Sequence, residues 1–557
     1  LFIAMLASPE VHMVDIKKYG IAPVGALPNE NQIAHLKLSR KVFFHFGVNT
    51  FTSSEWGNGN ENADIFSPTE LDTDQWLKVA KDAGFKLAIL TVKHHDGFCL
   101  WPSRYTSHSV KNSPYKSGRG DIVREFVNSC HKYGLKVGIY ISPWDRNSPH
   151  WGRDSYNEYF NNQLTELMTE YGEIHEVWWD GAGSRDAVYD WDLWEATVRR
   201  NQPKAVIFGS MGAAGHIDFR WSGNERGYAS PTHYASIDLT SVRDEIRSEL
   251  NEGKLGGEVY LPCEVDVSIR PGWFYHPDQD DKVKSPKVLN EIWFNSVGRN
   301  AVMLLNFPPD RRGLILDTEA ENARLSYECI KAMLEVNYFE NASVIHDGES
   351  FTVKDELDGE SFTVYKSRVM EITLPSPTLI NVFSLGELVE AGERVYSFKL
   401  EVLDDGEPVL LFEGSSVGFR RTFRIAEGEY SRLRLTIMKS IDTPYLKDIG
   451  IHYIKDFAEG GEHSAGGELV RAIEWGEDRH SATVSFGGIY PFNSVEFTLD
   501  DNAPYRVYAF SGQVFEEILS GTGPRVVSRA LPSPILDSYQ IKIEADTKIS
   551  AISVRLK

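Results

Sequence analysis

The strongest chemical signal in the sequence is a short apolar run that ends on a carboxylate, Glu176-Val177-Trp178-Trp179-Asp180-Gly181. An apolar run of this length between polar segments is typical of a buried strand, and Gly181 permits a sharp turn directly after it. Barrel enzymes hold their catalytic carboxylates at such strand ends. Asp180 is therefore a candidate nucleophile, and the alternative is an Asp that caps the following turn.

A second carboxyl group is needed if Asp180 is to cleave a glycosidic bond with retention of configuration. Glu225 lies on a Gly-Asn-Glu-Arg-Gly loop, from which a side chain could reach over a leaving group. Glu264 ends another apolar run and is the next candidate, ahead of Glu55 and Glu61. Each of these could instead be a solvated loop carboxylate or the partner of a nearby arginine.

Three histidines also follow apolar runs, namely His45 and the pair His94-His95, which precedes Asp96-Gly97. A zinc site is one interpretation, and hydrogen bonding within a core is another. Neighbouring residues of a strand point to opposite faces, so both histidines serve one site only if the strand ends there, as Asp96-Gly97 indicates. Neutral histidines donate to one hydroxyl and accept from another, which favours a sugar over a metal.

Eight apolar runs in the first 310 residues are predicted to be strands, most of them with polar or aromatic groups at their C-terminal ends. They are 41–47, 87–93, 137–142, 176–180, 205–210, 217–221, 258–263 and 301–305. Amphipathic helices alternate with the early strands, and this alternation predicts parallel strands that close into a barrel. After Asp180 only 186–200 and 285–297 have a good helical pattern, so we expect shortened or missing helices on that side.

Two further domains are predicted after the barrel. From Tyr338 onward the chain consists of short alternating runs separated by turn residues, as in an antiparallel sandwich, and a glycine-rich connector at 459–467 divides this part in two. The predicted fold class is α/β, an irregular (β/α)8 TIM-like barrel followed by two β-sandwich domains. The predicted boundaries are 1–337, 338–457 and 458–557, the last domain being carbohydrate-binding-like.

The composition argues against several classes of partner. The formal net charge of -22 leaves no basic stripe for phosphates, so we expect neither nucleic acid nor an anionic membrane surface as partner. The 13 tryptophans and 24 tyrosines suit a neutral carbohydrate, although ordinary packing also explains them.

No stretch reaches the roughly 18 apolar residues of a membrane span. The apolar start, Leu1–Ala7, favours export to the periplasm or the extracellular space, with a short N-terminal strand as the alternative.

Four segments, taken together in their order and spacing, resemble the α-L-fucosidases of glycoside hydrolase family 29. They are Phe44–Gly47, His94–Phe98, Tyr140–Ser142 and Val177–Gly181. The resemblance covers roughly residues 15–335 and implies a retaining hydrolase with an irregular barrel, a following β-sandwich and no metal or other cofactor. Two later segments, Trp221–Glu225 and Cys263–Trp273, resemble the branch of the family that prefers α-1,3- and α-1,4-linked fucose on branched, Lewis-type glycans.

The resemblance also implies roles for individual residues. Asp180 is the nucleophile and Glu225 the acid/base, and the partner is a fucosylated oligosaccharide or glycoconjugate. The implied substrate-binding residues are His45, Glu55, Trp56, His94, His95, Tyr140, Trp178, Glu264, Arg270 and Trp273. Three alternatives remain open: an α-L-fucosidase of broad specificity, a retaining hydrolase of another sugar on the same barrel, and a non-catalytic glycan-binding protein whose sandwiches do the binding.

Overall fold

A computed structural model describes residues 14–555 apart from short gaps. The gaps are 183, 185–186, 210, 355–360, 404–405, 456–469, 477, 487–488, 490–491, 511–514, 524 and 536–537. The sequence predictions that lie outside the described residues are the apolar start Leu1–Ala7, the glycine-rich connector at 459–467, the domain boundary at 457/458 and the helix start at 186.

Eight parallel strands close into a barrel, which confirms the predicted architecture of the first domain. The described strands of this domain are β1 (Arg40–Phe44), β2 (Leu87–Lys93), β3 (Lys136–Ile141), β4 (Glu176–Trp179), β5 (Val206–Gly209), β6 (Phe219–Trp221), β7 (Ser236–Ile237), β8 (Val259–Tyr260), β9 (Cys263–Ser268) and β10 (Ala301–Asn306). The barrel order is β1-β10-β9-β6-β5-β4-β3-β2, while β7 and β8 pair with each other outside it.

Helices surround the barrel. The described α-helices are α1 (Glu30–Leu38), α2 (Val48–Thr52), α3 (Thr73–Asp82), α4 (Ile122–Tyr133), α5 (Ser155–Glu170), α6 (Trp191–Asn201), α7 (Leu239–Arg243), α8 (Arg247–Glu252), α9 (Pro286–Asn295) and α10 (Asp317–Glu335). Short 3-10 helices occur at Ile16–Tyr19, Ala63–Ile65, Val110–Asn112, Tyr115–Gly118, Met211–Ala213, Pro277–Gln279, Tyr338–Asn341 and Val389–Ala391. Over the part of the chain described, no helix has the length and apolarity needed to cross a bilayer.

The early helices begin and end where local capping residues predict. Asp72 accepts hydrogen bonds from the backbone N–H of Asp74 and Gln75 at the start of α3. Asp121 caps α4 in the same way, and Gly134 ends that helix in the left-handed conformation. Short polar side chains at the N-cap satisfy N–H groups that the helix itself leaves unpaired, which is why these boundaries can be predicted from the sequence.

The second half of the barrel is irregular, as expected. Among the described residues between β5 and β6 there is one 3-10 turn, and the connection from β6 to β9 contains β7, α7, α8 and β8 instead of one long helix. The fully buried Arg220 of β6 holds this insertion. Its guanidinium donates to the carbonyl oxygens of Tyr234, Ala235, Leu250 and Leu261. A buried charge is tolerated there because several carbonyl groups surround it.

The seventh barrel strand differs from the prediction. The sequence predicts a strand at 258–263 that ends on Glu264, but the barrel strand is β9, Cys263–Ser268, and β8 lies outside the barrel. Pro262 separates the two runs, and a proline cannot donate to a continuing ladder. Glu264 consequently lies near the start of its strand instead of at its C-terminal end. Similarly, α6 begins at Trp191 and not at residue 186, which is outside the described residues.

Two antiparallel β regions follow the barrel. The first contains β11 (Ser343–His346), β12 (Glu349–Lys354), β13 (Ser361–Lys366), β14 (Val369–Glu387), β15 (Val395–Val402), β16 (Val409–Gly414), β17 (Arg421–Ser440) and β18 (Tyr445–His452). The second contains β19 (Val470–Trp475), β20 (Ser481–Phe486), β21 (Phe492–Leu499), β22 (Ala503–Phe510), β23 (Phe515–Gly523), β24 (Val526–Ile535), β25 (Gln540–Ala545) and β26 (Ile549–Arg555). Each region has a hydrophobic core of its own.

Candidate active site

A pocket with a volume of about 240 Å³ opens at the carboxyl ends of the barrel strands. Ten of the twelve predicted site residues line it. They are His45, Glu55, Trp56, His94, His95, Tyr140, Trp178, Asp180, Glu225 and Trp273. Glu264 and Arg270 lie outside the pocket wall.

Asp180 follows β4, accepts two hydrogen bonds and lies close to His95. Its Oδ2 accepts a hydrogen bond of 3.0 Å from the Tyr140 hydroxyl and lies 3.5 Å from His95 Nε2. Its Oδ1 accepts from the backbone N–H of Ala182 at 2.9 Å. The side chain is 26% exposed. Asp180 therefore caps the turn with one oxygen, which was the alternative to a catalytic role. It also presents a fixed carboxylate to the pocket.

Tyr140 is suited to hold a carboxylate, and the ring of His95 lies beside it. Burial, reinforced by the negative charge of Asp180, raises the pKa of Tyr140 well above its ordinary value, so the hydroxyl keeps its proton and donates. Burial lowers the pKa of His95, against the opposing effect of Asp180. The His95 ring is fixed by Nδ1, which lies 2.7 Å from Ser142 Oγ.

Glu225 lies on the loop after β6, and Trp273 fixes its carboxyl group by a hydrogen bond. The indole Nε1 of Trp273 donates to Glu225 Oε2 at 2.9 Å. The Glu225 side chain is exposed to the pocket, but the protein that surrounds the pocket partly desolvates it and raises its pKa to about 7; the hydrogen bond from Trp273 opposes this, while the charges of Asp180 and Glu55 add to it. A carboxyl group with a pKa near neutrality can donate a proton and later accept one.

Two glycines shape the Glu225 loop. Gly223 and Gly227 have φ angles of 75° and 85°, a region that side chains rarely adopt. At Gly223 a Cβ atom would lie 2.5 Å from the carbonyl oxygen of Arg247, so the missing side chain also permits the close approach of α8. The Asn224 side chain closes the loop by accepting from Arg226 N at 3.0 Å.

The hydrogen bonds around His45 determine its tautomer. The Asn306 amide donates from Nδ2 to the Trp273 carbonyl and to Ser268 Oγ, both at 2.9 Å, so its Oδ1 is the acceptor. His45 Nδ1 lies 2.9 Å from that oxygen and must carry the proton. Burial lowers the pKa of His45 to about 3. The ring is therefore neutral, and Nε2 is left as an acceptor.

His94 and His95 reach the same pocket because β2 ends at Lys93, directly before them. Their ring centroids are 4.1 Å apart, and His94 stacks on Tyr140 at 5.5 Å and 12°. Burial lowers the pKa of His94 well below its ordinary value. Over the described residues, no three His, Cys, Asp or Glu side chains are grouped as metal ligands.

Aromatic side chains form the floor of the pocket. Trp178 stacks on Phe208 with ring centroids 3.7 Å apart and an interplanar angle of 5°, and Phe43 contacts it edge-on at 5.1 Å. Only 5% of Trp178 is exposed. Such a rigid apolar surface suits the C–H face or the methyl group of a sugar.

Glu264 lies beneath this floor and not in the pocket. It is fully buried, and its carboxyl group accepts hydrogen bonds from the Lys41 ammonium and from Trp178 Nε1, the latter at 3.1 Å. Lys41 is also 2.6 Å from Glu176. Burial, with the nearby charge of Glu176, raises the pKa of Glu264 to about 8. The corrected position of β9 is the reason, since it places Glu264 one layer below the strand ends.

Arg270 points away from the pocket and stabilises the loop that follows β9. Its Nε donates to Glu319 at 2.6 Å and its Nη1 to Asp280 at 3.0 Å. Glu55 does line the pocket, but its oxygens also bind this loop, accepting from Trp273 N at 2.8 Å and lying 2.6 Å from His276 Nε2. Glu55 thus holds Trp273 directly, while Arg270 stabilises a later part of the same loop.

Comparison with known proteins identifies the family. The family model described as Alpha-L-fucosidase matches residues 30–326, more than half of the chain. The chain belongs to the α-L-fucosidase family. This fucosidase-family chain is 38% identical over 481 residues to Alpha-L-fucosidase 1 of Arabidopsis thaliana, which covers 82% of this chain and 93% of the plant protein. The family consists of glycoside hydrolases, so the chain is an enzyme of that class.

Solved structures agree in fold. A glycoside hydrolase 29 family member from an unknown rumen bacterium is 29% identical, has a TM-score of 0.74, and covers 96% of this chain and 100% of its own. A Ruminococcus gnavus GH29 fucosidase in complex with fucose is 30% identical, with a TM-score of 0.69, over 78% of this chain and 97% of its own. The first match extends over the C-terminal β regions as well as the barrel.

Sequence reasoning missed several residues of this fucosidase-family pocket. They are Phe43, Ala182, Phe208, Glu245 and Arg247, together with Trp221 and Asp266, which lie in the two segments that bear on linkage preference but are not predicted individually as site residues. Asp266 accepts from Trp221 Nε1 at 3.0 Å, and burial raises its pKa well above the ordinary value. The alternation of polar and apolar residues from Glu264 to Ser268 is the signal that could have located it, because residues two apart share a face of a strand.

Proposed function

We propose that the protein is a retaining exo-α-L-fucosidase that removes terminal α-1,3- or α-1,4-linked fucose from branched, Lewis-type glycans. The observation that carries the chemistry is the arrangement of two carboxyl groups in one pocket. Asp180 is held by Tyr140 and the Ala182 N–H, and Glu225 has a pKa of about 7. The fucose complex of the R. gnavus relative supports the choice of sugar.

In the first step a carboxylate oxygen of Asp180 attacks the anomeric carbon of fucose while the glycosidic C–O bond breaks. Glu225 transfers its proton to the departing oxygen, so the aglycone leaves as a neutral alcohol. Asp180 is then esterified and Glu225 is ionised. The raised pKa of Glu225 supports this role because the acid must hold its proton until the transition state.

In the second step the ionised Glu225 takes a proton from water, whose oxygen bonds to the anomeric carbon from the face that the aglycone left. The ester bond to Asp180 breaks, and fucose is released with its original configuration. The Tyr140 hydroxyl, 3.0 Å from Asp180 Oδ2, stabilises the carboxylate as it becomes the leaving group.

Recognition of the fucose ring follows from the chemistry of the pocket walls. His45 Nε2 accepts a hydrogen bond from a sugar hydroxyl, since its Nδ1 proton is committed to Asn306. His94, His95 and Glu55 bind the other hydroxyls. Trp178, on its rigid stack with Phe208, packs against the apolar face of the sugar.

Two observations support the proposed linkage preference. The segments Trp221–Glu225 and Cys263–Trp273 resemble the branch with this preference, and side chains of both segments lie in the pocket wall. Trp221 and Trp273 line the pocket and donate to Asp266 and Glu225 respectively. Arg247 lies over the Trp221 ring at 5.3 Å and adds a cation to the same wall. A neighbouring sugar bound there would contribute binding energy to turnover.

Release of 4-nitrophenol from a panel of aryl glycosides tests the choice of sugar and the catalytic class. We expect activity on the α-L-fucoside and little on the others. Preference for another sugar would indicate a different retaining hydrolase. Absence of turnover on every glycoside, with glycan binding retained, would indicate a binding protein.

The linkage is tested by kcat/KM on an aryl fucoside, a 2-linked fucosyl-lactose and a branched Lewis trisaccharide. We expect the trisaccharide to be the best substrate, because truncated substrates lose the contribution of the remote sugar to kcat. Equal or better activity on the first two substrates would assign the protein to the members of broad specificity.

A further inference from the structure

The C-terminal sandwich contacts the loop that carries Glu225. Glu516, at the start of β23, lies with its Oε2 3.3 Å from Nη1 of Arg226, the residue next to Glu225. The Arg226 side chain is 5% exposed and that of Glu516 is 39% exposed, so the pair lies at the edge of the domain interface. A domain with a separate hydrophobic core thus places a carboxylate beside the candidate acid/base.

The same domain contacts a second loop of the active site. The Tyr539 ring, just before β25, lies 5.6 Å from Lys282 Nζ, and it packs together with Ile489 against the hydrophobic core of the barrel. Lys282 belongs to the segment between β9 and α9, which also carries Trp273. Arg270 and Glu55 hold the other end of this segment.

These two loops meet at one hydrogen bond, from Trp273 Nε1 to Glu225 Oε2. We propose that the C-terminal sandwich positions the acid/base, with Glu516 acting through Arg226 and Tyr539 acting through the segment that carries Trp273. Glu516 and Tyr539 are positioning residues in this arrangement. The inference rests on the proposed role of Glu225 and extends it to a domain that the sequence indicates only as an accessory.

Charge is one way in which Glu516 acts. The negative charge of Glu516 raises the pKa of Glu225, and the ion pair with Arg226, the next residue of the loop, holds Glu516 in place. The other charged groups that face Glu225 or share its pocket are Asp180, Glu55, Asp266, Glu245 and Arg247. Removal of the Glu516 charge should therefore ionise Glu225 at a lower pH and reduce the fraction that can act as an acid.

The test compares Glu516→Gln with Glu517→Gln in the full-length protein. Glu517 is the next residue of β23 and faces Arg506 at 3.9 Å, so the control makes the same charge change without the Arg226 contact. We expect Glu516→Gln to move the alkaline limb of the kcat/KM profile down by roughly 0.2 to 0.7 pH unit, the size of a partly exposed ion-pair interaction. The shift should shrink at high salt, and Glu517→Gln should show none.

Arg226→Gln is the complementary variant, because it removes the positive charge of the same ion pair. Loss of this cation should move the alkaline limb to higher pH, whereas a general loosening of the loop would not produce opposite shifts in the two variants. Tyr539→Leu should lower kcat on fucosides with poor leaving groups by about 3- to 10-fold and leave 2,4-dinitrophenyl fucoside almost unchanged, because only the former need protonation. Equal losses on both substrates would indicate a structural role only.

Failure of this inference can be separated from failure of the proposed function. Wild-type cleavage of aryl fucosides, and rescue of Glu225→Gln by azide, establish the role of Glu225 without reference to the sandwich. If those results hold and Glu516→Gln has the same alkaline limb as Glu517→Gln, the inference is wrong. If Glu225→Gln keeps its alkaline limb, the proposed acid/base is wrong instead.

Discussion

At the scale of single residues, Asp180 uses its two oxygens for different contacts. Oδ1 accepts from Ala182 N and fixes the turn, while Oδ2 faces Tyr140 and His95 in the pocket. A carboxylate held in this way has little freedom to rotate, so its orientation is set before substrate binds. Such preorganisation favours attack on a carbon placed opposite the free face of the group.

Asp180→Asn should preserve the fold and lose most of the turnover. An asparagine Oδ1 can still accept from Ala182 N, but a neutral amide is a poor nucleophile, so kcat should fall by several orders of magnitude. The measurement is kcat on an aryl fucoside, with fucose binding and the melting temperature as checks. Asp192→Asn, at a side chain 95% exposed, is the matched control. Near wild-type turnover in Asp180→Asn would reject the assignment.

The pKa of about 7 for Glu225 predicts an alkaline limb in the pH profile. The protonated form is the acid, so kcat/KM should fall as the pH rises through about 7. Glu225→Gln should remove this limb, and azide should restore part of the activity on a substrate with a good leaving group. If Glu264→Gln shows the rescue and Glu225→Gln does not, the two roles must be exchanged.

The sequence locates Asp180, Glu225 and the histidines because each follows an apolar run or lies in a short motif. It does not reveal what Glu55 and Arg270 contact. Glu55 binds Trp273 N, 218 positions away along the chain, and Arg270 binds Glu319 on α10. Contacts of this kind depend on which loops the barrel brings together, and nothing in the local sequence specifies that.

At the scale of secondary-structure elements, helices with their own capping residues are predicted well and elements fixed by distant contacts are not. Asp72 and Asp121 mark α3 and α4 in the sequence. By contrast, the short α7 and α8 lie in the insertion held by Arg220, which binds carbonyl groups up to 41 positions away. The prediction of the seventh barrel strand at 258–263 was wrong because two apolar runs adjoin there. The alternation of polar and apolar residues in Cys263–Ser268 indicates the strand correctly.

The Lys41 cluster beneath the pocket should be essential for the stability of the barrel. Lys41→Met would leave Glu176 and Glu264 buried without their cation, and removal of one partner from a buried ion pair costs about 3–5 kcal/mol. The expected result is a melting temperature lower by many degrees, together with weaker substrate binding because Glu264 also holds Trp178.

The test compares the melting temperatures of three variants, Lys41→Met, Glu264→Gln and Lys78→Met, with that of the wild type. Glu264→Gln keeps an acceptor for Trp178 and should cost less than Lys41→Met. Lys78→Met removes an exposed i,i+4 pair with Asp82 and should have almost no effect. Similar melting temperatures for the two lysine variants would show that the buried charge cluster contributes little.

At the scale of the whole molecule, the first sandwich is attached to the barrel by a buried carboxylate. Glu393 is 3% exposed and accepts from Ala235 N at 2.9 Å, Ser236 N at 3.0 Å and Asn300 Nδ2 at 2.8 Å. These donors come from two separate segments of the barrel. The sequence indicates the domains but not how they dock, since Glu393 lies about 158 positions from its first partner.

Glu393→Ala should uncouple the sandwich from the barrel. Several buried donors would lose their acceptor, each at a cost of about 1–3 kcal/mol, so the interface should weaken more than either domain core. Calorimetry should resolve separate transitions, the first at a lower temperature than in the wild type. Glu429→Ala, at an exposed position of β17, is the control. A single unshifted transition in Glu393→Ala would contradict this account of the interface.

The tryptophans of the pocket have an optical consequence. Trp56, Trp178, Trp221 and Trp273 all line it, and Trp273 and Trp221 donate their indole N–H groups to Glu225 and Asp266. Indole emission responds to the charge of the group that it is bonded to. The fluorescence of the unliganded enzyme should therefore follow the ionisation of its carboxyl groups, so that the proton affinity of Glu225 becomes measurable by spectroscopic titration, independently of any substrate.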